Sequence, residues 1–415
     1  MPSCSQGNAP VLLRAYRQER CSRYLLSSPS GLSCAAQQVP RRASCLPRLP
    51  RPHSFSMERG KVRRINVAVM SIMAQDDNLG DIEIRQRLFS CVAATGAEML
   101  VYRGTASDSY VDAFDDADRT QWFESSVRLQ TQVLSRLLRG HRIHFLMAPG
   151  PSRFTSSPRA ILKSLANLAN MVLARLSGGT VHIVGRAYRG NGLTRAIEVL
   201  ALRLANTATV RDRLSSELVS GRASAMPDLA FMGCPQLGGA RDRIAISVRE
   251  EPDLDESAFE APVAAARDLG LKPVFVTQVK RDNPWMSRMA RAHGAELLEW
   301  DGATHRAQRD AVEKLYRSSA LVLSNRLHGL IMGAMAGAYP VPIVSGGNTK
   351  LVPTLAPTFG DVPSIAAKEV SSITPAKLSA LVSHWQGAEL GRMLHTSAAT
   401  LEQHLAHVAA SISKE

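Results

Sequence analysis

The stretch Ala320-Leu-Val-Leu-Ser-Asn-Arg-Leu-His-Gly-Leu-Ile-Met-Gly-Ala-Met-Ala-Gly-Ala338 is a strand running straight into a helix. Ala320–Ser324 is a short apolar run of strand length, and Leu327–Ala338 continues as an apolar helix. Asn325 and Arg326 make the turn between them. A strand that feeds a helix within two residues is the repeating half of a βα unit, which requires a parallel sheet.

The same alternation extends in both directions. Towards the N-terminus, Arg243–Val248, Pro273–Gln278 and Glu296–Trp300 read as strands. Helices over Ser257–Leu269, Pro284–His293 and Ala303–Ser318 separate them, and Pro340–Val344 reads as the last strand. A second series precedes this one. Its strands are Ile65–Ser71, Glu98–Tyr102, His144–Ala148, Thr180–Gly185 and Thr209–Arg211, with helices near Asp81–Thr95, Pro158–Leu176 and Leu193–Ala205. Gly-Cys-Pro-Gln-Leu-Gly-Gly-Ala, within Met232–Asp242, reads as a linker.

The expected architecture is therefore α/β, with two doubly wound Rossmann-like domains facing each other across a cleft. The expected boundaries are a tail over 1–60, an N-terminal domain over 61–235, a C-terminal domain over 241–365 and helices over 366–415. Ligands of such sheets bind at the carboxyl ends of the strands.

Composition narrows the function. Among 415 residues, 45% are hydrophobic and 21% charged, ordinary for a protein with sizeable cores. No stretch approaches the ~18 apolar residues of a spanning helix, and 5% aromatics argue against a stacking platform for single-stranded nucleic acid. The formal charge is +14. Residues 1–56 hold eight arginines, no lysine and one acid, Glu19, with four of the six cysteines. This Ser/Pro/Arg-rich segment reads as disordered, as a transit peptide, or as sequence ahead of a start at Met57. The remaining mild basic bias suits anionic substrates or an anionic membrane surface without demanding nucleic acid.

Familiar catalytic signatures are missing. The sequence has no G-x-G-x-x-G after the first strand, no Walker A and no G-x-S-x-G. The eleven histidines show no zinc spacing, so no metal site is expected. What remains is Arg326 and His328 in the first helical turn after Ser324. A cation there opposes the helix dipole, and a bound carboxylate or phosphate would relieve the conflict. Pairing of Arg326 with a nearby acid would do the same. Arg249 occupies the equivalent position after Arg243–Val248, so the two arginines form a candidate clamp for a doubly anionic ligand. Glu250, Glu251 and Asp253 leave an internal salt bridge open.

Ser324-Asn-Arg-Leu-His-Gly-Leu-Ile331, continuing to Ala336-Gly337, resembles the signature of the polysaccharide pyruvyl transferase family. Other pieces resemble the family's motifs in the same order. They are Asn78-Leu-Gly-Asp81, Val210-Arg-Asp-Arg-Leu-Ser215, Pro227-Asp-Leu-Ala-Phe231, Ile246-Ser-Val-Arg249, Thr277-Gln278 with Asp282, and Lys350 after Gly346-Gly-Asn-Thr349. Together they span residues 65–360. The family's glycine-rich turn reads Ala148-Pro-Gly-Pro151 here, and residues 1–56 have no counterpart.

The resemblance implies a fold similar to two-domain, GT-B-like glycosyltransferases. It also implies transfer of the enolpyruvyl group of phosphoenolpyruvate onto two sugar hydroxyls, forming a pyruvate ketal and releasing phosphate. No cofactor beyond this donor is implied. Arg249 and Arg326 would hold the donor's phosphate and carboxylate, Leu327 would shape its pocket, and His328 would protonate its methylene carbon. Lys350 would neutralise the departing phosphate. Asn78, Gly80 and Asp81 would face the cleft from the acceptor side, where Asp81 would orient a hydroxyl or cap its helix. Arg211, Asp212 and Ser215 read as a structural salt-bridge and capping set. The acceptor would be a sugar or lipid-linked oligosaccharide, in the cytoplasm, with peripheral contact at the inner membrane face. A nucleotide-sugar glycosyltransferase of the same architecture, and a basic nucleic-acid or membrane-surface binding protein, are the alternative readings.

Overall fold

The computed structural model describes residues 64–114, 119–346, 350–384 and 387–414. The expected tail over 1–60 and the segment Gly347-Asn-Thr349 before Lys350 lie outside the described residues.

The first domain carries β1 (Asn66–Ser71), α1 (Leu79–Ala93), β2 (Glu98–Tyr102), α2 (Asp108–Val111), β3 (Thr120–Phe123), α3 (Ser126–Leu138) and β4 (Arg142–Met147). It continues with β5 (Gly150–Phe154), α4 (Pro158–Leu176), β6 (Val181–Gly190), α5 (Thr194–Leu204), β7 (Thr207–Val210), α6 (Arg213–Leu218) and β8 (Ser224–Ala225). The strands form one parallel sheet in the order β3-β2-β1-β4-β6-β7-β8, with β5 paired to β6. Side chains alternate along a strand, so each strand feeds two layers. Val67 and Val69 of β1 join a core with α3, α4 and α5. Ala68 and Met70 point the other way, into a core with α1 that runs on into the second domain.

The second domain carries β9 (Arg243–Ser247), α7 (Glu260–Asp268), β10 (Lys272–Val276), α8 (Asn283–Ala292), β11 (Glu296–Leu298), α9 (His305–Arg317), β12 (Ser319–Ser324) and α10 (Leu327–Met335). After these come β13 (Tyr339–Val344), α11 (Leu351–Phe359), β14 (Ile365–Ala366), α12 (Pro375–His384) and α13 (Gly387–Ser413). Its parallel sheet runs β11-β10-β9-β12-β13-β14, so the order reverses between β9 and β12. That is the crevice where doubly wound sheets bind ligands. Pro340–Val344 is not the last strand as expected. The two-residue β14 pairs beyond it, through Ile343–Ile365 and Val344–Ala366.

Several sets of contacts fix the domains relative to one another, among them His305 and Arg309 of α9 against Ser109 and Gln86. The loop after β1 crosses to the loop after β10, where Asn78 and Val279 form an isolated β-bridge. Beside it Lys280 N donates to Asp77 O at 2.8 Å, and Arg281 pairs with the Asp77 carboxylate. Burial would raise the Asp77 carboxyl, but Arg281 outweighs it and holds the group below its ordinary value. At the chain's end, α13 returns to the first domain. Cys91 donates to Leu405 O at 3.2 Å, Ser411 Oγ lies 2.9 Å from His182 Nε2, and Arg142 donates to Lys414 O at 2.7 Å.

Candidate active site

The site grows from the switch point between β9 and β12. Asn325 grips the backbone of Arg249 at both ends: its Oδ1 accepts from Arg249 N at 2.8 Å and its Nδ2 donates to Arg249 O at 3.0 Å. Ser324 Oγ donates to Ser247 O and accepts from Arg326 N at 2.9 Å. These bonds set the two strand ends side by side, and both arginines line one cleft.

Each arginine also has an acid of its own. Arg326 sits at the N-cap of α10 and lays Nε and Nη2 against the two oxygens of Asp282 at 2.9 and 2.5 Å. Burial pushes the Asp282 carboxyl up although Arg326 pulls it down. Arg249 pairs with Glu251 through Nε at 2.6 Å and Nη2 at 2.5 Å. The internal salt bridges that the sequence left open are therefore present. They hold each guanidinium by one edge, and the Nη1 of each lies outside the pair.

His328 stands in the first turn of α10, buried against the N-terminal domain. Gly80 of α1 lies under it so closely that a Cβ added at Gly80 would come 2.2 Å from Nδ1 and 2.3 Å from Cβ of His328. The His328 Nε2 is buried and has no hydrogen-bond partner among the described residues. Its nearest carboxylate oxygen, Asp228 Oδ1, is 3.8 Å away, too far for a hydrogen bond but close enough for strong charge coupling. Asp228 also pairs with Arg211 at 3.0 Å and accepts from Ala230 N at 3.0 Å. Burial would raise this carboxyl; His328 first, then Arg211 and the Ala230 N–H, overcome burial and hold it well below the carboxylate range.

The cleft between the domains has a volume of about 1520 Å³. Its C-terminal wall presents Arg249, Arg326, Leu327, His328 and Lys350, with Arg211 beside them. Lys350 is exposed on that wall, yet protein closes round its ammonium. Desolvation, then the charges of Arg211, Arg249, Arg326 and Arg189, hold it below the ordinary lysine value. The opposite wall presents Asn78 and Asp81 and, further along, Arg153, Arg159, Lys163 and Arg186. Like charges crowded in one cleft raise its affinity for a polyanion.

Seven of the eight residues singled out in the sequence line this cleft. Gly80 does not; it makes room for His328. The first loop therefore reaches the C-terminal wall as well as the opposite one. Asp81 does not cap α1. Asn78 does, accepting from Gly80 N at 3.1 Å, while Asp81 pairs with Arg85 at 3.1 Å. Asp212 caps α6 through Ser215 N at 2.8 Å and pairs with Arg189, as a structural set would. Arg211 pairs with Asp228 as a structural residue would and also lies on the cleft wall. Sequence reasoning missed the roles of Asn325, Asp228 and Asp282. All three stood inside or beside recognised motifs, but their partners lie 17 to 100 residues away. Among the described residues, no group of three His, Cys, Asp or Glu could hold a metal ion, and Cys91 and Cys234 are not joined in a disulfide.

The model of the polysaccharide pyruvyl transferase family matches residues 145–346. The family resemblance is borne out over these residues, which contain Arg249, Arg326, Leu327 and His328, whereas Asn78–Asp81 and Lys350 lie outside the match. No curated protein matches the chain. Among solved structures, UDP-GlcNAc 2-epimerase from Neisseria meningitidis is similar at 11% identity and a TM-score of 0.48, over 82% of this chain and 98% of that one. An α,α-trehalose-phosphate synthase from Burkholderia vietnamiensis (11%, TM-score 0.42) is covered to 97% by 84% of this chain. The ADP-heptose lipopolysaccharide heptosyltransferase II of E. coli (11%, TM-score 0.38) is covered to 99% by 77%. The fold class itself follows from the two parallel sheets and the cleft between them. Among the described residues, no helix is long and apolar enough to cross a membrane.

Proposed function

We propose that this pyruvyl transferase-like chain uses phosphoenolpyruvate as donor and builds a cyclic pyruvate ketal on two hydroxyls of a glycan sugar. One observation carries the reading. The side chain of His328, whose buried Nε2 has no hydrogen-bond partner among the described residues, borders a cleft where Arg249, Arg326, Arg211 and Lys350 converge. A small ligand with a carboxylate and a phosphate fits that charge set. Its methylene carbon is then the atom that needs a proton.

In this scheme His328 gives a proton to the methylene carbon, and C2 becomes electrophilic. The first sugar hydroxyl attacks C2 and its proton restores the imidazolium. The second hydroxyl forms the other C–O bond as the bond to phosphate breaks, and its proton leaves on the phosphate. Asp228 stabilises the charged imidazole, in effect a fixed counter-charge, and acid catalysis of this kind contributes roughly 10²–10⁴ in rate. Arg249 and Arg326 hold the two anionic groups, each aligned by its own carboxylate partner. Lys350 meets the phosphate as it departs.

The test is thermal stability with phosphoenolpyruvate and with a panel of nucleotide sugars, on wild type and on Arg326→Ala. A ligand at 100 times its Kd stabilises by ~2.7 kcal/mol when it binds only the folded state. Stabilisation by phosphoenolpyruvate, lost in Arg326→Ala, supports the donor. Stabilisation by a nucleotide sugar instead would replace this reading with a glycosyltransferase.

A further inference from the structure

We propose that the outer face of α3, α4 and α5 docks on an anionic lipid bilayer, beside the mouth of the cleft. Helix α3 turns Leu129 and Val133 into the core and leaves Val127, Leu134 and Leu138 at 73%, 46% and 87% exposure. Helix α4 buries Met171 and Ala174 but leaves Leu162, Leu165, Val172 and Leu176 at 69%, 47%, 41% and 75%. Leu193 and Leu200 extend the patch onto α5 at 64% and 46%. Each outward set has helical spacing, so these helices are apolar on both sides. Isolated surface leucines are unremarkable. Here nine of the thirteen exposed large hydrophobics among the described residues fall on, or at the N-cap of, three helices over one core.

Charge identifies the partner. Residues 125–206 contain twelve lysines and arginines and one acid, Glu198, which is buried. Arg128, Arg139, Arg159, Lys163, Arg175 and Arg203 stand exposed around the leucines. A second copy of this face, or the arginine-rich segment 1–56, would meet it with like charge. A nucleic acid would match the cations, but protein–nucleic acid interfaces are polar and wet, and leucine stripes gain nothing there. Apolar stripes flanked by arginine and lysine fit the headgroup boundary of an acidic membrane, where the leucines enter the acyl region. Each cation near such a surface strengthens binding roughly fivefold. Arg159, Leu162, Lys163 and Ala166 belong both to this face and to the cleft wall. A bilayer seated here therefore lies next to the acceptor side. The proposal stands independently of the donor chemistry.

The experiment is co-sedimentation of the full chain with vesicles of phosphatidylcholine alone, or mixed with phosphatidylglycerol. Wild type is compared with Leu138→Gln/Leu176→Gln and with Arg139→Gln/Arg175→Gln, none of which lines the cleft. We expect binding to the mixed vesicles, weakened by salt, and roughly tenfold or more weaker in each double variant. The melting temperature should stay unchanged. Failure to bind mixed vesicles overturns the proposal, as does equal binding to neutral ones. Binding that both variants leave intact points to residues 1–56 and also overturns it. So does a dimer in sedimentation equilibrium, or retention of nucleic acid, that the leucine variant abolishes.

Discussion

Gly80→Ala offers a test in which two ordinary effects predict opposite signs. Gly80 lies within α1 with no positive φ, so alanine should help the helix by ~0.5–1 kcal/mol. The added methyl, however, would sit 2.2 Å from Nδ1 and 2.3 Å from Cβ and Cγ of His328. No side-chain rotation removes a clash with a Cβ, so the start of α10 must shift away from α1. Overpacking of this kind costs about 1–3 kcal/mol, and it outweighs the helical gain. We expect a net loss of about 1–2 kcal/mol, or roughly 2–8 °C in melting temperature for a domain of this size. Phosphoenolpyruvate should still stabilise the variant, because Arg249 and Arg326 are not displaced directly. Ketal formation should fall by roughly 100-fold, the usual result of moving a catalytic group by ~1 Å. The decisive arm is the same change in a His328→Gly background. With the ring and its Cβ gone, Gly80→Ala should become neutral or stabilising, a sign reversal in the double-mutant cycle. Equal destabilisation in both backgrounds would refute the claim that Gly80 is needed to seat His328.

Three further outcomes are expected. His328→Gln should keep the stabilisation by phosphoenolpyruvate but lose ketal formation; retention of turnover with an unchanged pH profile would remove His328 from the chemistry. Asp228→Asn should destabilise by about 3–5 kcal/mol in urea melts, since it leaves Arg211 buried beside a neutral amide; a change within ~0.5 kcal/mol would show that the pair is unimportant. Burial pushes His144 down to about 4, and burial together with His144 and other nearby imidazoles pushes His182 down to about 3. Both are neutral when folded, while the unfolded chain binds their protons below about 6.5. Stability should therefore be full above that pH and decline as pH falls towards 3, by up to ~1.4 kcal/mol per pH unit for each histidine. A flat profile between pH 7 and 5 that does not change on His182→Gln would contradict this.

The parallel alternation was legible because most strands are short apolar runs and most helices bury one stripe. Where those signals blur, reading fails. The sequence from Tyr102 to His144 hides β3, only four residues long, and α3, which follows it after two residues. Strand β5 reads Gly-Pro-Ser-Arg-Phe, whose first two residues signal a turn. It pairs only with β6, which is how a strand tolerates proline. The site was legible wherever chemistry is local in sequence, as in Ser324–Gly329. Asp282 and Asp228 were quoted within motifs but given no role, because an acid's function depends on which cation the fold brings to it. The spacing that seats His328 on Gly80 joins residues 248 apart, beyond any local pattern.

Helix α13 has a consequence for biosynthesis. The first domain leaves the ribosome long before residues 387–414, yet His182, Arg142 and Cys91 receive their partners from Leu405, Ser411 and Lys414. Domains usually fold as they are made, N-terminal first. Here the domain synthesised first waits, with one flank of α1 and β1 uncovered, until the last helix arrives. A ribosome stalled before that point holds a nearly complete cleft with an open seam, a natural point of engagement for a chaperone.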